Sequence, residues 1–487
     1  MPQVKTKYGT VEGAVDKRRG TVMYAGIPFA APPTGELRWK EPVAPAGWEG
    51  VMDCTRFRAA PLQNIMPIPN ASFPCYGQEY FITKEDPKDE DCLYLNVWTP
   101  EGIRENAGLP VIMIICGGGY AYGTGAIPVI SGKNLAASGV VVVTINYRLG
   151  ALGFMGHPEL TAESPNGASG NYGILDQIAA LKWIKENIAC FGGDPDNVTI
   201  AGESAGAYSV SILCSSPLAT GLFHKAVAQS GSMITTSDTM TVTLKEAEAF
   251  GLEVMKKMGA SSIKELRGIP AERFVGIKGP LRHIRDGYLL PETPGIVNDV
   301  PILIGNNSDE GRTFFKADIT LADFEKQLRE RYGDHYETIR RVYLENYPDV
   351  SEAFYAEDRD SRHEFRMLSW ATIHTESAHS PAYLYYFDRG VPRQDFGAFH
   401  SSNLQYFYRN LDCNPSVCWE DIDYRLSDAM SAYLVNFMRT GNPNGAGLPE
   451  WRPFGENREQ VMELGEHIGM IDRPHKPAMD AMKMIYG

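Results

Sequence analysis

The strongest constraint on the fold of this chain is a succession of short, continuous apolar runs interleaved with helical patterning. Residues 93–98, 111–115, 140–145 and 198–201 are largely apolar, the last three rich in Val and Ile, without strict alternation. Such runs suit strands whose sheet is covered by helices on both faces. Between the third and fourth runs, residues 174–184 place apolar side chains at helical spacing. The order strand, helix, strand predicts a wound α/β sheet, large and mostly parallel. Residues 300–305 and 383–387 resume the strand pattern, and 424–438 reads as a C-terminal helix. Residues 1–60 hold short β-like runs broken by Gly and Pro, which predicts an N-terminal hairpin region. Two stretches read as insertions that bring helices over the mouth, about 234–300 as mixed helix and loop and about 316–380 as helical and charged. With no repeat, low-complexity tract or flexible linker, the expectation is one domain over 1–487, its insertions lying over the mouth.

Gly202-Glu203-Ser204-Ala205-Gly206 follows the fourth run directly and leads into a helical stretch, 207–213. A serine at a tight strand-to-helix turn is held in a strained conformation that lifts its hydroxyl off the sheet, and flanking glycines leave room for the turn. The five residues alone recur in unrelated chains; their placement after a strand makes Ser204 a candidate nucleophile. The helix that follows directs backbone N–H groups toward developing negative charge. After the second run comes Cys116-Gly117-Gly118-Gly119-Tyr120. Three glycines let the backbone approach a carbonyl closely and present free amides to an oxyanion. A nucleotide-binding loop is disfavoured, because no Gly-Lys-Ser/Thr follows. Together these features predict an α/β-hydrolase fold carrying a serine ester hydrolase site.

Bulk composition narrows the partners. A formal charge of −14 opposes nucleic acid and anionic lipid surfaces, and the basic residues are dispersed. No segment reaches the roughly 18 consecutive apolar residues of a membrane span, so stable membrane insertion is not expected. The start, Met1-Pro2-Gln3-Val4-Lys5, has no secretory pattern. A cytoplasmic location is the preferred expectation, and secretion is the alternative if a signal peptide has been removed. Eight cysteines are too few for a disulfide scaffold, and with no CxxC pair or His/Cys cluster no metal is expected.

The chain resembles the type-B carboxylesterases, a group that includes cholinesterases and bacterial para-nitrobenzyl esterases. The resemblance rests on Glu90-Asp91-Cys92-Leu93-Tyr94-Leu95-Asn96, the glycine loop at 117–119, Asn146-Tyr147-Arg148, Phe191-Gly192-Gly193-Asp194-Pro195 and the turn around Ser204. These stand in the family's order over most of the chain. The resemblance implies a triad of Ser204, Glu310 and His400, with backbone amides of Gly118, Gly119 and Ala205 as the oxyanion hole and no cofactor. The residues alone leave Asp309 and Glu310 equal as the acid; the family pattern selects Glu310. Among histidines, His157, His224, His374 and His379 fit a base on pattern, but only His400 lies in the matching motif.

The chain also departs from the family. Cys116 stands where many relatives carry histidine. Asn403 stands where relatives carry glutamate, in a buried network with the positions of Glu203 and Ser230. Cys75 and Cys92 match a pair that forms a disulfide in secreted relatives and would remain thiols in a reducing cytosol. Between them lie Tyr76, Tyr80 and Phe81 but no tryptophan, so the indole with which cholinesterases hold quaternary ammonium is missing. A generalist, bacterial-type hydrolase of small to medium acyl or aryl esters is expected, as a monomer or homodimer. A feruloyl or other aromatic esterase is the narrower version. A non-catalytic, neuroligin-like binding protein is the alternative from another class; such members typically lose the serine that is present here.

Overall fold

The apolar runs pair edge to edge in the computed structural model, which describes residues 1–68, 74–237, 241–279, 283–293, 295–313 and 319–487. Eleven strands form one sheet: β1 (Ala14–Asp16), β2 (Thr21–Pro28), β3 (Tyr94–Pro100), β4 (Leu109–Ile115), β5 (Val141–Ile145), β6 (Gly193–Glu203), β7 (Lys225–Gln229), β8 (Ile302–Asn307), β9 (Ala382–Phe387), β10 (Gln460–Leu464) and β11 (Ile468–Asp472). Their spatial order is β1-β2-β3-β5-β4-β6-β7-β8-β9-β10-β11. Neighbours from β5 through β10 run parallel. The outer pairs on both sides are antiparallel. This is the α/β-hydrolase architecture expected from the sequence.

Burial explains why the central strands lack alternation. Every residue of β5, β7, β8 and β9 is buried. Helices α1 (Tyr172–Asn187) and α2 (Ala205–Ser215) contribute Ile174, Ile178, Leu181, Val210, Ile212 and Leu213 to the same core. The chain winds one way from β4 to β5 and then returns to the other side of β4 with β6. A parallel sheet opens a crevice at the carboxyl ends of its strands where the winding reverses. That point lies between β4, which leads into the glycine loop, and β6, which leads into Ser204.

The second insertion is helical, whereas the first mixes helices with loops and a short parallel pair, Thr241–Thr243 with His283–Arg285; residues 238–240, 280–282, 294 and 316–318 lie outside the described part. Helix α3 (Leu244–Met258) begins with a capping box between Thr243 and Glu246. The second insertion contains α4 (Leu321–Tyr332), α5 (Tyr336–Asn346), α6 (Val350–Arg359), a five-residue π turn (Asp360–Glu364) and α7 (Phe365–Ser377). Phe324, Leu328 and Tyr332 recur every four residues along α4, and all three are buried. They join Ile339, Tyr343, Met479 and Met482 in an apolar cluster of its own. Helix α8 (Asp421–Thr440) packs on the main core, and α9 (Lys476–Tyr486) closes the smaller one. In the N-terminal region, Gln3–Lys5 and Thr10–Glu12 pair antiparallel and Val51–Asp53 joins them, while β1 and β2 form a hairpin on the main sheet. Among the described residues, no helix is long and apolar enough to cross a membrane.

Candidate active site

Ser204 occupies the single residue between β6 and α2, at φ 55° and ψ −122°. A side chain in this region clashes with its own backbone, at a cost of about 1–2 kcal/mol. Packing and hydrogen bonds hold it there: the Ser204 N–H donates to the Gln229 carbonyl at 2.9 Å, and the Tyr208 N–H donates to the Ser204 carbonyl at 3.0 Å. The flanking glycines are required by space. A Cβ on Gly202 would lie 2.3 Å from the Gly206 carbonyl carbon, and one on Gly206 would lie 2.1 Å from the Ile115 oxygen. The strain anticipated from the sequence is therefore present at Ser204.

The glycine loop lies across the carboxyl end of β4. Gly118 adopts φ 101°, and a Cβ there would meet the Tyr122 oxygen at 2.5 Å. Among the described residues, the N–H groups of Gly118, Gly119 and Ala205 donate to no other backbone carbonyl. The loop is tethered on both flanks. The Tyr120 hydroxyl donates to the Ala205 carbonyl at 2.6 Å, and Gln63 exchanges two 2.8 Å bonds with the Gly123 backbone. Cys116 is buried, and its carbonyl accepts the Tyr147 hydroxyl at 2.9 Å.

Glu310 begins the turn after β8 and is fully buried. Its Oε2 lies 2.5 Å from His400 Nδ1. Its Oε1 accepts the Asn307 N–H at 2.8 Å and the Ser230 hydroxyl. Asp309, equal to Glu310 on sequence, turns away: it accepts from Arg312 Nε at 3.0 Å and from the Ala398 N–H at 3.0 Å. On the other side of the imidazole, His400 Nε2 lies 3.1 Å from Glu203 Oε1, which also accepts the Ser401 hydroxyl at 2.7 Å. Ser204, Glu203 and His400 line one cavity, yet among the described residues the Ser204 hydroxyl makes no hydrogen bond to His400. In this structure Nε2 faces Glu203 instead.

The electrostatics follow from this arrangement. Burial alone would raise Glu310, but the neighbouring His363 and His400 and its hydrogen bonds hold the carboxyl well below its ordinary range. Burial opposes the charge on His400, yet Glu203 and Glu310 outweigh it and raise the imidazole above its ordinary value. Burial raises Glu203, restrained by His400 and Ser401.

The cavity measures about 250 Å³ and is walled by Tyr76, Tyr80, Phe81, Ile127, Leu404 and Tyr408. Tyr76 packs edge-on against Phe81 and Phe399, with ring centroids 5.4 and 5.7 Å away. Asn403 is buried, donating to the Tyr385 hydroxyl at 3.1 Å and accepting from Asn307 Nδ2 at 3.3 Å. The place hydrogen-bonded to Glu203 belongs to Ser401. Cys75 and Cys92 carry separate, buried thiols, so the bridge implied for secreted relatives is not formed here. Burial raises both, Cys75 to about 12.

Sequence reading missed Tyr120, Ser401, Tyr408 and His363. Tyr120 alone carried a local signal, standing directly after the three glycines. The other pattern-compatible histidines serve elsewhere. His157 Nδ1 accepts the Glu159 N–H at 3.1 Å, His224 Nδ1 accepts the Val198 N–H at 3.1 Å, His374 Nε2 contacts the Ser380 carbonyl at 3.0 Å, and His379 is exposed. Two groups, Glu310/His363/His400 and Asp360/Glu364/His475, bring ligand atoms within 4.8 Å of one another. In the first, an ion would have to displace the Glu310–His400 contact. In the second, Arg359 already supplies the positive charge, 2.7 Å from Asp360 and 3.8 Å from Glu364.

The sequence matches the "Carboxylesterase family" over residues 1–482. It is 36% identical to a fumonisin B1 esterase of Sphingopyxis macrogoltabida over 94% of this chain and 86% of that protein. It is 32% identical to a para-nitrobenzyl esterase of Bacillus subtilis (strain 168) over 97% and 96%. A solved PNB esterase superposes with a TM-score of 0.84 at 31% identity, covering 98% of this chain and 99% of that one.

Proposed function

The chain belongs to the carboxylesterase family and is an enzyme of the serine carboxylesterase type, and on that premise we propose that Ser204, His400 and Glu310 are its catalytic triad for hydrolysing small to medium acyl or aryl esters. The observation that carries this reading is the short Glu310–His400 contact behind the cavity wall that bears the strained Ser204. In the reaction, His400 Nε2 turns from Glu203 to Ser204 and takes its proton as the serine oxygen attacks the ester carbonyl. Catalytic hydrogen bonds often tighten only when substrate is bound. Glu310 keeps the proton on Nδ1, orients the ring and stabilises the imidazolium. The free amides of Gly118, Gly119 and Ala205 hold the oxyanion. His400 returns the proton to the leaving alcohol, then deprotonates the water that hydrolyses the acyl-enzyme.

The apolar, aromatic walls favour uncharged acyl and aryl groups, the latter meeting Tyr76, Phe81 and Tyr408 edge-on or stacked. The Tyr408 hydroxyl is buried without a hydrogen-bond partner among the described residues and supplies a polar contact for a substrate oxygen. A para-nitrobenzyl esterase among the relatives agrees with a substrate that carries an aromatic ring.

Hydrolysis of para-nitrophenyl acetate against pH tests the assignment. His400 must be neutral to act as base, so kcat/KM rises with pH through its pKa. The Glu203 carboxylate raises that pKa. In Glu203→Gln this charge is gone, and the acidic limb is expected to move to lower pH by about one unit. An unmoved limb, or the absence of hydrolysis by the wild type, would refute the proposal.

A further inference from the structure

His363 lies beside the acid and the base without a part in the mechanism above. It belongs to the π turn Asp360–Glu364 that joins α6 to α7. A π turn inserts one extra residue into a helix and so re-aims the side chains around it, and such turns occur frequently at functional sites. The His363 ring is buried, with its centroid 4.9 Å from that of His400. Its Nδ1 lies 3.0 Å from the Ser230 carbonyl oxygen. A carbonyl only accepts, so the proton of this contact sits on Nδ1. Burial pushes the imidazole down to about 4, which leaves it neutral at neutral pH.

Ser230 is itself held in an unfavourable shape. Its φ is 61°, in the left-handed region. Three contacts fix it there: its N–H donates to the Gly305 carbonyl at 2.8 Å, its carbonyl accepts from His363, and its hydroxyl donates to Glu310 Oε1. If the donor on the carbonyl is lost, the serine can relax toward negative φ, and its hydroxyl then swings away from Glu310.

We propose that His363 is a positioning residue for the triad: its Nδ1–H pins the left-handed Ser230, whose hydroxyl fixes the carboxylate that orients His400. This rests on the assignment of Ser204, His400 and Glu310 made above. His363 does not line the substrate cavity. Its loss therefore falls on kcat and leaves KM unchanged.

Steady-state hydrolysis of para-nitrophenyl acetate by four variants, with thermal unfolding of each, tests the chain of contacts. His363→Phe keeps a ring but loses the donor, and its kcat is expected to fall about tenfold, the effect of one lost buried hydrogen bond. His363→Asn restores a donor near the Nδ1 position and is expected to stay within about threefold of wild type. Ser230→Ala is expected to lose as much as His363→Phe. The double variant is expected to be no worse than Ser230→Ala, because both act on one contact chain. If His363→Phe does not fold, His363→Leu replaces it in the cycle. Wild-type kcat in the donor-less variant, an equal loss in His363→Asn, or additive losses in the double variant would overturn the proposal. Ser204→Ala, run in parallel, separates the two readings. Activity surviving that change would instead remove the triad assignment.

Discussion

Ser204→Ala is expected to lower kcat for ester hydrolysis by about 10⁵-fold, leaving only what substrate binding and the oxyanion amides contribute without a nucleophile. The fold should survive, because the anchors of the turn are the Ser204 backbone and the two glycines rather than the hydroxyl. Alanine inherits the φ of 55° and its strain, so the melting temperature should scarcely move. Ser204→Gly is expected to be equally inactive but more stable, by about 1 kcal/mol, because glycine adopts positive φ without the clash. Kinetics and unfolding of the two variants together check that the strain belongs to the catalytic turn. A glycine variant less stable than the alanine variant would refute that account.

Glu310→Gln is expected to cost about 10³–10⁴-fold in kcat with little change in KM. The amide matches the carboxylate in shape, so the loss is electronic. With the charge gone, nothing stabilises the imidazolium, and an NH₂ group facing Nδ1 selects the wrong tautomer of His400. KM should be spared because Glu310 does not line the cavity. The comparison with Asp309→Asn is informative, since Asp309 bonds Arg312 and the Ala398 N–H rather than His400. That variant should retain most of its kcat. A Glu310→Gln enzyme within tenfold of wild type would shift the role of acid to Glu203, the other carboxylate at the ring.

How far the site could be read from sequence depended on how local its causes are. The turn around Ser204 was legible because the strand, the glycines and the helix are adjacent in the chain, and the steric need for Gly202 and Gly206 arises within it and the next strand. The sheet was legible because strands buried on both faces, such as Val141–Ile145, cannot alternate. The choice between Asp309 and Glu310 was not, since a one-residue offset decides which carboxyl faces inward, and only the turn after β8 sets it. The Glu203–His400 contact joins residues far apart in the chain and left no pattern in either segment. His363 was hidden for another reason: spacing puts it on the buried face of Met367 and Trp370, but nothing in the sequence marks the π turn or the distant Ser230 carbonyl that its ring meets. Asn403 shows the limit of resemblance, for the structure gives the place beside Glu203 to Ser401 and turns Asn403 toward Tyr385 and Asn307.

Attack of Ser204 on the ester carbonyl can be caught directly by covalent trapping. The enzyme would be treated with an organophosphonate that mimics the tetrahedral intermediate, then analysed by intact mass and peptide mapping alongside residual hydrolysis of para-nitrophenyl acetate. The expected result is a single adduct per chain on the peptide holding Ser204, with activity lost in proportion to labelling and no adduct in Ser204→Ala. Full labelling of Ser204 with hydrolysis intact, or inactivation by an adduct on another residue, would contradict it.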